Sequence, residues 1–326
     1  MTLVEARRVT TAGIARAAQG ISPVFLHTPI VQHDDIDAWL GATVSCKVES
    51  LGPLRSFKGR GGDWFMRQRT ARGPVCAASA GNFGQALAWA ARAAGEACTM
   101  FASVNASPLK LARMRALGAT VIQSGTDFDA AKDAAREYAR QHQLEFVEDG
   151  EAVAITEGAG SIAVELANAV TLDTLLVPLG NGALLAGVAT WMKAVSPSTR
   201  IIGVVAEGAP SMMRALTGIQ VDTTMPVDTI ADGIAVRVPV KAAVDDLRAL
   251  FDDLVAVPED AIIAAMRGLI STAGLIVEAA GAVGIAAIVN APHGAYGERV
   301  GTILCGGNVT TEQLDRWGVL RAGIGA

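Results

Sequence analysis

The sequence has little charge and no block of one sign, and this shortage excludes several classes of protein. Asp, Glu, Lys and Arg make up only 18% of the 326 residues while hydrophobic residues make up 51%, so long disordered segments are not expected. The net charge is −5 and Lys and Arg form no run, so nucleic acid and anionic membranes are poor partners. These properties indicate a folded protein with a large core, long enough for about two domains.

Cysteine is scarce as well, and its spacing excludes two kinds of site. The four cysteines, Cys46, Cys76, Cys98 and Cys305, are scattered, with no CxxC pair and no pair of histidines nearby. This pattern argues against a zinc site and against a disulfide framework. We therefore expect no metal site, and we expect the reducing environment of the cytoplasm.

The sequence also lacks a hydrophobic run of membrane length. Residues 1–19 are Ala-rich with interspersed charges and do not contain the apolar core of a signal peptide. The most apolar region, residues 261–290, is interrupted by Arg267, Glu278 and several glycines. We interpret this region as buried helices and not as a membrane span.

From residue 75 onward, short apolar strands alternate with helices. Such alternation predicts βαβ crossovers and parallel sheets, so the expected fold class is α/β. Residues 75–150 are predicted to form a small inserted domain, and residues 1–74 and 151–326 the large domain. Further expectations are helices over residues 1–20 and 62–72, and mostly loop over residues 217–240.

The stretch Ser56-Phe57-Lys58-Gly59-Arg60-Gly61 is the first candidate for chemistry. A lysine that leaves water has a lowered pKa, and its free amine can condense with an aldehyde. Glycines on either side of Arg60 would let the backbone approach a bulky cofactor. Taken alone, the stretch fits a surface lysine in a Gly-rich turn at least as well.

Two further loops join a predicted strand to a predicted helix, and each has features of an anion site. They are Ser79–Gln85 (SAGNFGQ) and Pro178–Leu185 (PLGNGALL). A helix N-terminus offers free N–H groups and the positive end of the helix dipole. The first loop suits a carboxylate, with Ser79 and Asn82 as additional donors, and the glycines of the second leave room for a phosphate. Ordinary capped turns remain the alternative for both loops.

The second of these loops does not match the common nucleotide-binding patterns. Its spacing differs from the Rossmann G-x-G-x-x-G, and the chain has no Gly-Lys-Ser/Thr of the Walker type. A dinucleotide or ATP is therefore disfavoured. The fourth element, Cys305-Gly306-Gly307-Asn308, follows the last predicted strand; its thiol can make only a weak hydrogen bond, and a small buried core residue is the alternative.

Taken together and in this order, the four elements resemble the fold-type II pyridoxal-phosphate-dependent enzymes. The Ser-Phe-Lys-x-Arg-Gly, Ser-Ala-Gly-Asn, Gly-rich and Cys-Gly-Gly-Asn elements lie within residues 28–308. The members that the chain resembles most are the serine/threonine dehydratases and the serine racemases. The resemblance implies two parallel-sheet lobes of the tryptophan synthase beta-like architecture, pyridoxal 5'-phosphate as cofactor, an amino-acid substrate and a homodimer.

The resemblance also implies a role for each candidate residue. Lys58 would form a Schiff base with the cofactor aldehyde and take the Cα proton, and Phe57 would pack beside the ring. The residues expected to hold the substrate are Ser79, Ala80, Gly81, Asn82 and Phe83, with Asn82 also near the pyridine hydroxyl. The residues expected to hold the phosphate are Gly180, Asn181, Gly182, Ala183 and Leu184. Cys305 would face the pyridine nitrogen as a neutral thiol.

Three positions depart from the pattern of the family. Asn181 interrupts a phosphate loop that is usually all glycine, Phe83 stands where many relatives have histidine, and Ala80 stands where the racemases carry a second serine. Because Ala80 cannot donate a proton, we expect little racemisation.

The expected function is lyase chemistry of amino-acid catabolism. We expect β-elimination of a 3-hydroxy amino acid, which is serine, threonine or a bulkier analogue such as phenylserine, to a 2-keto acid and ammonia, with the cofactor phosphate as the proton donor to the leaving hydroxyl. The alternatives are β-replacement as in the cysteine synthases, racemisation, and a non-catalytic pyridoxal-phosphate-binding carrier or regulatory protein.

Overall fold

The computed structural model describes residues 7–320, which contain ten strands. In chain order these are β1 (Ile30–Val31), β2 (Thr43–Val48), β3 (Val75–Ala78), β4 (Cys98–Ala102), β5 (Thr120–Gln123), β6 (Glu145–Phe146), β7 (Thr174–Pro178), β8 (Arg200–Ala206), β9 (Asp253–Val257) and β10 (Arg299–Leu304).

The described residues also contain thirteen α-helices. In chain order these are α1 (Thr11–Gly20), α2 (Asp34–Leu40), α3 (Lys58–Gln68), α4 (Asn82–Ala93), α5 (Pro108–Ala116), α6 (Phe128–Gln141), α7 (Val153–Ala169), α8 (Ala183–Val195), α9 (Ser211–Leu216), α10 (Lys241–Leu247), α11 (Glu259–Ala273), α12 (Ala279–Val289) and α13 (Thr311–Arg316). Within residues 7–320 no helix is both long and apolar enough to span a bilayer.

The strands form two sheets, which confirms the predicted α/β class. The larger sheet has the order β1-β2-β10-β7-β8-β9, and the smaller has the order β5-β4-β3-β6. All four strands of the smaller sheet are parallel and come from residues 75–146. The exact limits of the two predicted domains stay a prediction.

The larger sheet is mixed and not purely parallel, which corrects the expectation of two parallel sheets. Strand β1 runs antiparallel to β2, whereas β2, β10, β7, β8 and β9 run parallel. Only the short α2 connects β1 to β2, and a parallel crossover needs a longer connection. The chain reverses instead at Gly41, which has a φ of 67°.

Helix α12 belongs to the most apolar region of the sequence and is buried inside the protein. Its sequence, AAGAVGIAAIV, has apolar residues on every side, and Ala279 to Ile288 are buried. A helix that is hydrophobic all round lies inside a protein or a bilayer. Here it packs between α11 and the strands of the larger sheet.

Helix α3 begins at Lys58, four residues earlier than predicted. Gly59, Gly61 and Gly62 are poor helix formers, but each lies where a side chain would collide with a neighbour. A Cβ at Gly59 would lie 2.3 Å from the Phe25 ring, and one at Gly61 would lie 2.7 Å from the Ile155 carbonyl oxygen. Close packing therefore makes this glycine-rich segment helical and places Lys58 in its first turn.

The first helix is shorter than predicted, and the long loop is as expected. Helix α1 begins at Thr11 because the Thr10 hydroxyl caps it by accepting from the Gly13 N–H. Residues 1–6 of the predicted helix lie outside the described residues. Residues 217–240 are mostly loop, with one short 3₁₀ turn at Asp232–Ile234.

Candidate active site

A cavity of about 550 Å³ brings the four sequence-predicted elements together. It is lined by all of the predicted site residues, namely Phe57, Lys58, Ser79, Ala80, Gly81, Asn82, Phe83, Gly180, Asn181, Gly182, Ala183, Leu184 and Cys305. Three of the elements lie where parallel strands end, and the fourth is the first turn of α3. The carboxyl ends of parallel strands are the usual ligand sites of such sheets.

Lys58 extends into this cavity and makes an ion pair that the sequence did not suggest. Its Nζ donates to Asp149 Oδ2 at 2.5 Å and lies 4.7 Å from the centroid of the Phe57 ring. Asp149 comes from the loop after β6 and is largely buried, as is Lys58. The amine is thus held between an aromatic face and a carboxylate.

The loop from Ser79 to Phe83 is organised by the Ser79 hydroxyl. Its Oγ accepts from the Gly81 N–H at 3.1 Å and from the Gly84 N–H at 3.0 Å. These bonds curl the chain into the first turn of α4, where N–H groups have no intrahelical acceptor. The Ser79 side chain therefore shapes this loop as well as lining the cavity.

The Asn82 side chain is held by two residues from the other end of the chain. Its Nδ2 donates to Glu278 Oε1 at 2.7 Å, and its Oδ1 accepts from Asn308 Nδ2 at 2.7 Å. One amide hydrogen of Asn82 remains for a ligand. Burial, assisted by the nearby Asp232 carboxylate, raises the pKa of Glu278 to about 7.

The loop from Gly180 to Leu184 leads into α8 and presents the N-terminus of that helix to the cavity. Gly182 has a φ of 98°, a conformation that favours glycine, and a Cβ at Gly180 would lie 3.1 Å from Ile234 Cα. Asn181 stands where the family usually has glycine, but it is not among the residues with positive φ. The asparagine therefore introduces no left-handed backbone strain. Free N–H groups and a positive dipole end make this loop suited to a phosphate.

Cys305 follows β10 at the base of the cavity. Its Sγ donates to the Ala280 carbonyl oxygen at 3.5 Å. Burial raises the pKa of the Cys305 thiol, and the Glu278 carboxyl adds to this effect. The side chain therefore stays a neutral thiol at physiological pH.

Charged residues around the cavity mouth connect the region of the smaller sheet to that of the larger one. Lys110 on α5 pairs with Asp232, and Arg237 pairs with Asp127 and Asp129 at the start of α6. Among the described residues, six carboxylates and four cations line the cavity, and each of the four cations contacts a carboxylate. The wall therefore carries more carboxylates than cations, and each cation is already paired with one of them.

Sequence reasoning missed the charged residues of the site. Asp149 stands in a Glu-Asp-Gly segment just after β6, at a strand end, and this position was a usable signal. Glu278 is the one acid within the apolar region 274–291, which was a second signal. Within residues 7–320, no group of three His, Cys, Asp or Glu side chains is placed to hold a metal ion.

The chain matches known proteins over most of its length. The family model described as "Pyridoxal-phosphate dependent enzyme" matches residues 21–306. The L-threonine ammonia-lyase of Thermotoga maritima is 32% identical over 320 residues, covering 94% of this chain and 78% of that protein. The catabolic L-threonine dehydratase of Staphylococcus aureus is 31% identical over 338 residues, covering 99% of this chain and 95% of that protein.

Solved structures show the same architecture. A threonine deaminase from T.th. superposes with a TM-score of 0.86 at 29% identity, covering 92% of this chain and 99% of that one. A pyridoxal 5'-phosphate-dependent aspartate racemase superposes with a TM-score of 0.87 at 28% identity, covering 95% of this chain and 99% of that one. Both dehydratases and racemases are thus similar to this chain.

Proposed function

The chain belongs to the family of pyridoxal-phosphate dependent enzymes, and we propose that it catalyses the β-elimination of a neutral 3-hydroxy amino acid, with L-threonine as the first candidate. The products are a 2-keto acid and ammonia. The observation that carries the proposal is that Lys58, the N-termini of α4 and α8, and the neutral Cys305 thiol line the same cavity. The relatives named threonine ammonia-lyase and threonine dehydratase support the same reaction.

The residues present fit pyridoxal 5'-phosphate. The amine of Lys58 can hold its aldehyde carbon, and the start of α8, with glycine where a side chain would collide, can hold its phosphate. Cys305 offers the ring nitrogen a neutral partner, and Asn82 has an amide hydrogen to spare. When bound, the cofactor supplies an electron-withdrawing ring that stabilises negative charge at Cα.

The protein side chains bind the substrate and move its proton. The start of α4 binds the substrate carboxylate through its free N–H groups, in a loop shaped by Ser79. Lys58 Nζ, which lies inside the cavity, takes the proton from Cα. The Phe57 ring packs against the lysine and excludes water from one side of it.

The wall of the cavity favours a substrate with an uncharged side chain. Its four cations already contact carboxylates, so a second substrate carboxylate has no free partner among them. Apolar residues such as Phe128, Val227 and Val238 complete the lining. A bulkier apolar β-substituent, as in phenylserine, is therefore a second substrate candidate.

A 2-keto-acid assay over a panel of 3-hydroxy amino acids tests the proposal. We expect L-threonine, L-serine or phenylserine to give keto acid and ammonia without any added nucleophile. Product formed only in the presence of a thiol would assign β-replacement instead. Bound cofactor without any product from the panel would indicate a carrier or regulatory protein.

Racemisation is the second candidate, because an aspartate racemase is among the similar structures. A racemase needs a proton donor on each face of the planar carbanion. Ala80 lines the cavity in the position where the resembling racemases carry serine, and its methyl group can supply no proton. We expect chiral chromatography to show little D-isomer from L-substrate, and Ala80→Ser to raise it.

We further propose that the enzyme works in the cytoplasm as a homodimer. All four cysteines are unpaired and buried, which supports a reducing compartment. The dimer is proposed from the family resemblance alone, and light scattering coupled to size exclusion tests it.

A further inference from the structure

The described residues also indicate which side chain gives a proton to the departing β-hydroxyl. Resting on the proposed elimination, we propose that Asp149 is the acid that protonates the departing β-hydroxyl, with the proton that Lys58 removes from Cα. Lys58 and Asp149 would then work as one acid–base pair.

The contact between the two side chains permits direct transfer. Lys58 Nζ and Asp149 Oδ2 are 2.5 Å apart, and the side chains are 14% and 10% exposed. A proton can pass over this distance without a bridging water. Asp149 also lines the cavity, so it can reach a substrate there.

The second oxygen of Asp149, Oδ1, is buried and has no hydrogen-bond partner among the described residues. Buried carboxylate oxygens normally accept hydrogen bonds, and an unpartnered one in a cavity wall needs an explanation. A hydroxyl group on the substrate is the partner that the proposed reaction brings.

The backbone beside Asp149 is held in place by packing. Gly150 has a φ of 90°, and a Cβ there would lie 2.6 Å from the Asn181 carbonyl oxygen. The segment is therefore pressed against the loop that begins α8. This contact places the backbone next to Asp149 beside the proposed phosphate site.

The other carboxylates of the cavity have different partners. Asp232 pairs with Lys110, Asp127 and Asp129 pair with Arg237, Glu148 pairs with Lys132 and Arg136, and Glu278 accepts from Asn82. Six acids of the described part of the chain line the cavity, these five and Asp149, and Asp149 is the one in contact with Lys58. It is therefore the acid with direct access to the abstracted proton.

The proposed step balances. The Cα–H bond breaks, its proton goes to Lys58 Nζ, and its electron pair enters the new Cα–Cβ double bond. The Cβ–O bond breaks with its pair on oxygen. The proton passes from Nζ to Asp149 and on to that oxygen, which leaves as water, so both residues return to their starting states.

The test compares two leaving groups that give the same product. L-Serine loses hydroxide, which needs a proton, whereas 3-chloro-L-alanine loses chloride, which does not; both yield pyruvate. We expect Asp149→Asn to slow pyruvate formation from serine by about 10²- to 10⁴-fold while 3-chloroalanine stays within about threefold of the parent. Asp149→Ser, which also lacks the acid, should give the same selective loss.

Glu148→Gln is the matched control, because Glu148 is the adjacent acid but pairs with Lys132 and Arg136. It should leave the ratio of the two rates unchanged. A second readout is hydrogen exchange at the serine Cα in D₂O, followed by NMR. In Asp149→Asn this exchange should outrun pyruvate formation, because Lys58 still removes the proton. Cofactor content measured by absorbance should equal that of the parent.

Two results would overturn the assignment. Equal slowing of both substrates would make Asp149 a positioning residue for Lys58, and an unchanged serine rate would give the role to another donor such as the cofactor phosphate. A parent protein that forms no keto acid from any hydroxy amino acid would refute the proposed function instead, so the two failures are distinguishable. If serine is not a substrate, L-threonine and its 3-chloro analogue replace the pair.

Discussion

Lys58 and Arg60 stand two residues apart on α3 and belong to two charged groups of opposite character. Arg60 lies in a buried quartet with Lys47, Glu49 and Glu165. Arg60 donates to Glu49 at 2.9 Å and to Glu165 at 2.7 Å, and Lys47 donates to Glu165 at 2.6 Å. Two cations face two anions, so the buried quartet is neutral and closely hydrogen-bonded.

The second group surrounds the cavity and is neither balanced nor closed. It contains Lys58 with Asp149, the pair Lys110–Asp232, and Arg237 with Asp127 and Asp129. Asp232 and Arg237 are 54% and 30% exposed, and one oxygen of Asp149 has no partner among the described residues. The cavity group therefore keeps part-exposed charges and an unpartnered carboxylate oxygen, whereas the buried quartet does not.

The two groups differ in how completely their charges are paired, and the difference follows their burial. Removing an ion from water is costly, so a deeply buried ion must be fully paired, whereas ions beside a water-filled cavity need not be. The pKa values follow the same rule. Burial alone would raise the pKa of Glu165, but the bonds and charge of Arg60 and Lys47 lower it to about 2. Glu278, which forms no ion pair with a cation among residues 7–320, has its pKa raised to about 7 by burial.

The largest expected effect is on the activity of a Lys58 variant, whose stability should change much less. Lys58→Ala should reduce keto-acid formation at least about 10³-fold and abolish the borohydride-reducible attachment of cofactor to the protein. The urea midpoint should change much less than for substitution of Arg60, because Lys58 and Asp149 line the cavity and are 14% and 10% exposed, whereas Arg60 is 1% exposed. Cofactor still trapped on a lysine of the variant would show that another lysine holds it.

The next effect tests the buried quartet. Arg60→Met keeps the packing volume but leaves Glu49 and Glu165 short of their main cation, so we expect a loss of about 3–5 kcal/mol in the free energy of unfolding. Arg140→Ala is the control, since Arg140 is fully exposed and pairs only along α6; its midpoint should match that of the parent. A loss no larger than in the control would show that the quartet does not stabilise the fold.

A third prediction uses the raised pKa of Glu278. The folded protein holds this proton up to about pH 7, whereas the unfolded chain loses it near 4.5, so stability should fall as pH rises between these values and then level off. The change should amount to about 3 kcal/mol. We expect the urea midpoint of the parent to fall between pH 5 and pH 8 relative to that of Glu278→Gln. A pH-independent difference between the two proteins would contradict this account.

The smallest expected effect concerns the cavity mouth. Arg237→Gln removes a part-exposed pair with Asp127 and Asp129, so the free energy of unfolding should change by no more than about 1 kcal/mol. The KM should change by at most about fivefold, the equivalent of the same energy. A loss as large as that of Arg60→Met would remove the distinction between the two charged groups.

Most of the site was predictable because its signals are local. A short glycine-containing motif is visible in a few adjacent residues, and four such motifs in order located Lys58, Asn82, Gly182 and Cys305, which line one cavity. The α/β class followed from alternation in the same way. The start of α3 was predicted wrongly, because its glycines disfavour a helix and only contacts with Phe25 and Ile155 overcome this preference.

The charged partners were not predictable because they depend on distance in space. Asp149 is 91 residues from Lys58, and Glu278 is 196 residues from Asn82. In the sequence, each acid stands at a recognisable place, one after a strand and one in an apolar region, but its partner cannot be read from that place. Only the folded chain shows which cation each one faces and which oxygen remains unpaired.

By itself, the sequence determined the class of fold and identified the lysine and the two loops that line the cavity, because periodicity, glycine spacing and helix N-termini act within a few residues of one another. Three features depend on the tertiary structure alone. The larger sheet is mixed, Lys58 is the first residue of a helix, and its amine donates a hydrogen bond to Asp149. The physical reason is that burial and charge pairing depend on neighbours brought together by folding, whatever their separation along the chain.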